Sequence, residues 1–162
     1  MNSNVLRKQL FCFVLFLASD MSRWFQRIDL NASEDETMEF ATQKFGIKNY
    51  PADYEEQWYL IVPPGRQVQI TFEAFELEQS ENCKNAYVEI REAYFGNGPF
   101  QAEIKAAFGA ILAEPMCGSN LPKLIRSAGN MAWVKFSSAK NSATTYKGFK
   151  ASFKAGNNVT EA

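Results

Sequence analysis

The chain has 162 residues, a length that suits one domain around a single hydrophobic core. With 46% hydrophobic residues and fourteen Phe it is no disordered chain, and its texture favours strands over an Ala- and Leu-rich helical bundle. A formal charge of -1 argues against nucleic acid as a partner, and the absence of histidine excludes Ser-His-Asp and Cys-His catalysis, His-ligated zinc and HExxH proteolysis.

At the N-terminus, Arg7 and Lys8 precede an apolar stretch from Leu10 to Ala18, with small residues at Ala18, Ser19 and Ser22. This is the layout of a secretory signal over residues 1–19. The apolar stretch is about half of the roughly 20 residues a transmembrane helix needs, so no membrane span is expected. Cleavage after Ser19 discards Cys12 and leaves Cys83 and Cys117, an even number in an oxidising compartment, for which one disulfide is the simple reading. Two sequons, Asn31-Ala32-Ser33 and Asn158-Val159-Thr160, suit N-glycans on exposed termini.

Residues 20–42 carry the acidic run Glu34, Asp35, Glu36 and Glu39, and Ser33 with Glu36 has capping-box spacing. A linker or short helix is the expectation there. From Phe45 onwards short apolar alternations are broken by turn residues, which predicts an all-β sandwich or barrel over residues 43–155 and a tail over 156–162. Gln57 to Val62 is one such segment, ended by Pro63-Pro64-Gly65. Val68, Ile70 and Phe72 then alternate with Gln67, Gln69 and Thr71, so one face is buried and the other wet. Val88 and Ile90 repeat this, as do Ala132, Val134 and Phe136, and finally Phe149, Ala151 and Phe153.

Between Phe95 and Cys117 the spacing changes. Phe100, Ile104, Ala107, Phe108 and Ile111 recur at helical intervals, which predicts a short helical insertion before Cys117, weakened by Gly109. Its stripe packs on the sandwich rim or, in the sharper reading, docks a partner through Phe100, Ile104 and Phe108. A hydrolase built on paired carboxylates needs only two acids, but most acids here fall on wet strand faces, where solvated surface is their ordinary role.

Taken in order, these segments resemble a CUB domain from about Phe45 to Phe153. The series runs Asn49-Tyr50-Pro51, Trp58, Val62-Pro63-Pro64-Gly65, Phe75-Glu76-Leu77-Glu78, Cys83, Tyr87-Val88-Glu89-Ile90, Cys117-Gly118, Leu121-Pro122, Val134-Lys135-Phe136-Ser137-Ser138 and Gly148-Phe149. The resemblance implies a jelly-roll-like sandwich of two antiparallel sheets and a bridge from Cys83 to Cys117. Many CUB domains carry an earlier cysteine two residues before the tryptophan. Glu56 stands there in this chain, so the first disulfide is missing, as in the leading CUB domain of complement-type proteases.

The family's calcium site uses a tyrosine-supported Glu and two Asp on neighbouring loops. Tyr54 and Glu78 match the first two roles, whereas Ala86 and Ala139 occupy the Asp positions. The resemblance therefore implies no full calcium site, only a residual weak one at Glu78, and no other cofactor. It implies a secreted, non-catalytic module that binds an extracellular protein or glycan. The alternatives are an accessory module for an extracellular protease on another chain and, remotely, the carboxylate hydrolase.

Overall fold

Alternating faces become two facing sheets in the computed structural model, which describes residues 25–95, 104–105 and 109–157. The first sheet has the order β1-β3-β10-β5-β8, from β1 (Phe25–Asn31), β3 (Tyr54–Ile61), β10 (Met131–Ser138), β5 (Ala86–Glu92) and β8 (Ile111–Met116). The second has the order β2-β11-β4-β9, from β2 (Thr37–Ala41), β11 (Gly148–Asn157), β4 (Arg66–Glu76) and β9 (Ile125–Arg126). A separate hairpin pairs β6 (Tyr94–Phe95) with β7 (Ile104–Lys105). Pairing is antiparallel throughout except at the first edge, where β1 lies parallel to β3.

The core lies between the sheets and is filled by the predicted alternations. Trp58 and Leu60 of β3, Val88 and Ile90 of β5, and Val134 and Phe136 of β10 meet Val68, Ile70, Phe72, Phe149, Ala151 and Phe153 from the other side. Phe40, Trp58 and Phe149 pack as tilted and edge-on aromatic pairs 5.4–5.9 Å apart. Full burial of each such side chain contributes roughly 1.5–3 kcal/mol. A register shift between Lys150 and Ala151 leaves an extra residue in β4, and this bulge turns Phe75 inward beside Phe72. The bridge joins Cys83, at the end of the 3-10 turn Glu81–Cys83, to Cys117 just beyond β8, with their Cα atoms 5.5 Å apart.

Two expectations are corrected. Residues 25–31 and 37–41 are strands of the sandwich, where a linker or short helix was expected. Ser33 does meet Glu36, through its N–H at 3.1 Å and its hydroxyl at 3.0 Å, but the contact closes the turn between β1 and β2. Two half-buried residues, Ile28 and Leu30, seat β1 on the core, and Phe40 seats β2. The helical insertion before Cys117 is also overturned where it can be seen. Ile104 and Lys105 pair with β6, and Ile111 opens a strand that pairs with β5. Gly109 is there for close approach, since a Cβ at that position would lie 1.9 Å from the Glu92 carbonyl oxygen.

Candidate functional site

Loops at one end of the sandwich converge on Glu78. Just past β4, buried Leu77 fixes the chain by donating its N–H to the Gly118 carbonyl at 2.9 Å. That places the Glu78 carboxylate between the loop before β5 and the loop after β10. Its Oε1 accepts from Asn85 Nδ2 at 2.7 Å, and its Oε2 accepts from the Ala143 N–H at 2.7 Å and the Ser142 hydroxyl at 3.0 Å. Charge-assisted bonds of this kind favour the ionised form. The Asn85 amide first, then the Ala143 N–H and the Ser142 hydroxyl, accordingly hold Glu78 below the usual carboxylate range.

Ala139 ties the surrounding backbone together. Its N–H donates to the Asn85 carbonyl at 2.7 Å, and its own carbonyl accepts from the N–H groups of Asp53 and Ser142 at 3.0 Å each. Ala86, at the start of β5, is fully buried in the core opposite Ser138. The tyrosine that reaches Glu78 is Tyr50, whose Oη accepts the Glu78 N–H at 3.0 Å. Tyr50 packs edge-on against Phe136 at 5.1 Å, and burial pushes its phenol up despite that bond. The supporting role expected of Tyr54 is thus taken by Tyr50.

Calcium needs about six to eight hard oxygens, with carboxylates carrying most of the charge compensation. This end presents one carboxylate at the centre, with three of its roughly four acceptor directions already taken. The donor set does not fit a full calcium site. Among the described residues no group of three or more His, Cys, Asp and Glu is placed to hold a metal.

Tyr54 instead belongs with Glu56, the residue standing where many relatives have cysteine. Both point inward from β3, on the face that carries Trp58 and Leu60. Glu56 is 4% exposed, and the Gln43 N–H is its main donor. The Tyr54 phenol lies beside it, yet neither Tyr54 Oη nor Glu56 Oε2 completes a well-formed hydrogen bond. Burial therefore dominates and pushes the Glu56 carboxyl up to about 7, with the Gln43 and Tyr54 contacts opposing. Burial and the neighbouring Glu56 likewise push the Tyr54 phenol up.

Of the remaining candidates, Cys83 and Cys117 are joined, and Asn31 ends β1 with an exposed side chain. Phe100, Phe108, Asn158 and the signal segment lie outside the described residues, and Ile104 is described only as backbone of β7. Sequence reasoning missed Tyr50, Asn85 and Ser142 as partners of Glu78. It noted Glu56 only as an absent cysteine.

The profile of the CUB domain family matches residues 32–153. The chain is similar to mouse Tolloid-like protein 2, at 34% identity over 109 residues, which is 65% of this chain and 9% of that protein. It is also similar to rat cubilin, at 38% identity over 115 residues, 68% of this chain and 3% of that protein. The chain thus spans less than a tenth of these relatives. Among solved structures, the CUB1-EGF-CUB2 domains of rat MASP-1 superpose with a TM-score of 0.61 at 22% identity, covering 83% of this chain and 47% of that one. The MASP-1 CUB2 domain bound to Ca2+ superposes with a TM-score of 0.54 at 19% identity, covering 75% and 95% respectively. At these identities the structural matches speak for the fold alone.

Proposed function

Because this chain belongs to the CUB domain family, we propose that it is a secreted, non-catalytic module that recognises another extracellular protein without a full calcium site. CUB domains are extracellular protein-interaction modules. No helix among the described residues is long and apolar enough to cross a membrane. The observation that carries the calcium-independent part is the hydrogen-bonded cage around Glu78. Asn85, Ser142 and Ala143 supply the donors that stabilise its negative charge, and the Ser142 and Ala143 contacts tie the loop 77–85 to the loop after β10. Pre-formed loops cost less ordering entropy on binding than mobile ones.

Capture from extracellular fluid on the immobilised chain, in parallel with excess calcium and with chelator, tests this reading. The expected result is a partner retained equally under both conditions and absent from a variant with the loop after β10 scrambled. Capture that disappears in chelator contradicts calcium independence. Recovery of nothing above the scrambled control contradicts a binding role.

A further inference from the structure

The loop between β2 and β3 presents an apolar knob beside Lys44, Lys48 and Lys147 at the same end of the sandwich. Ile47 is 81% exposed, far more than any other large hydrophobic side chain among the described residues. It is held out by an ordered turn. The N–H groups of Ile47 and Lys48 both donate to the Lys44 carbonyl, at 2.9 and 3.0 Å, and Lys44 and Gly46 adopt positive φ of 59° and 79°. Asn49 Nδ2 donates to the Thr144 carbonyl at 3.0 Å, which fastens the turn to the neighbouring loop. Gly46, Ile47, Lys48, Asn49 and Lys147 line a shallow hollow of ≈ 150 Å³ beside it.

The charge of this end runs opposite to that of the chain. Loops 42–53, 77–85 and 139–147 carry five lysines and three carboxylates, whereas the whole chain is slightly acidic. Glu78, one of the three, is already spent on Asn85, Ser142 and Ala143. Lys44, Lys48 and Lys140 are exposed, and no ion pair forms on them among the described residues, while Lys147 reaches Glu76 only at 3.6 Å. Exposed cations beside a fixed hydrophobic side chain, Lys147 among them only loosely engaged by Glu76, complement an acidic segment with an apolar residue.

Resting on the reading of the chain as a binding module, we infer that the Lys44–Lys48 turn with Lys147 docks an acidic protein segment, one of whose apolar side chains packs on Ile47. The knob favours a protein segment over a sulfated glycan, which gains little from an exposed isoleucine.

The test measures binding of a synthetic Asp- and Glu-rich peptide with one central Phe, by titration against the full chain. Its lysine counterpart and a heparin-derived oligosaccharide run in parallel. The acidic peptide is expected to bind and to weaken by about fivefold or more between low and physiological salt. Charge reversal in the double variant K44E/K48E is expected to weaken it by about tenfold, and Ile47→Ser by about fivefold, without altering Tm. The double variant K123E/K154E changes net charge equally on other exposed lysines and is expected to bind as the native chain does. Equal binding to native chain and K44E/K48E overturns the inference, as does equal loss in K123E/K154E. A chain that takes the oligosaccharide but not the acidic peptide overturns it too. A partner captured from extracellular fluid equally well by K44E/K48E and Ile47→Ser leaves the binding-module reading standing and this surface refuted.

Discussion

Replacing Glu56 by glutamine removes an ionisable group from the sandwich interior while preserving its shape. The native carboxyl is 4% exposed and is pushed up from 4.5 to about 7, chiefly by burial. A folded-state value raised above the unfolded one means that the folded chain holds the proton more tightly. Below about pH 4.5 both states are protonated and the contribution to stability is complete. Between about 4.5 and 7 the unfolded chain releases its proton first, so stability falls as pH rises, and above 7 the loss is constant. At about 1.4 kcal/mol per unit, the full loss is about 3 kcal/mol. Glutamine cannot ionise, and its amide can donate toward Tyr54 Oη while its oxygen keeps the Gln43 N–H. Thermal melts of Glu56→Gln and native chain across pH 4 to 8 are the assay. With roughly 4 °C per kcal/mol for a domain of this size, the variant should melt about 10 °C higher at pH 8 and within about 2 °C of native at pH 4.5. A difference independent of pH, or a variant less stable at pH 8, refutes the reasoning.

Glu78→Ala strips the acceptor from Asn85, Ser142 and the Ala143 N–H, and is expected to cost about 1–3 kcal/mol and to speed amide exchange at Ala143. Native stability should also decline as acid protonates Glu78, because its folded-state value is depressed, and this part of the acid sensitivity should vanish in Glu78→Gln. Removing the bridge with Cys83→Ser and Cys117→Ser, which opens a loop of sequence separation 34, should cost up to about 4 kcal/mol in a denaturant melt. Introducing Ala86→Asp together with Ala139→Asp supplies the two acids that the family's calcium site uses. That variant should gain a calcium-dependent rise in Tm of several degrees, with lower stability than native in chelator because Ala86 is fully buried.

The sandwich was legible where burial is one-sided. Val68, Ile70 and Phe72, or Ala132, Val134 and Phe136, alternate because one face meets the opposing sheet and the other meets solvent. The N-terminal strands were not legible, because β2 carries a single buried residue, Phe40, amid an acidic run that also suits a turn or helix start. In the segment before Cys117, a spacing of three and four residues suggested a helix at Ile104 and Ile111, the two positions of that stripe among the described residues. The long-range pairing of β8 with β5 decided otherwise, and local pattern cannot register it.

The loop end was half legible. Motif order marked Glu78 and the alanines at 86 and 139, but the choice between two tyrosines four residues apart depends on the path of the intervening chain. Asp53 turns that path with a positive φ of 54°, and Ser138 clamps it by donating to the Pro51 carbonyl at 2.8 Å. Asn85 and Ser142 are ordinary loop polars in sequence, and only tertiary contact sets them on Glu78. Glu56 did carry a signal: Tyr54, Glu56, Trp58 and Leu60 share one strand face, so a carboxylate at the second position must be buried.

The most direct test of a hydrogen-bonded loop end in place of a calcium site is the melting temperature of the full chain in excess calcium against chelator. The account predicts values that agree within about 1 °C, because Asn85, Ser142 and Ala143 already satisfy Glu78. A rise of several degrees with calcium, abolished in Glu78→Gln, would contradict it.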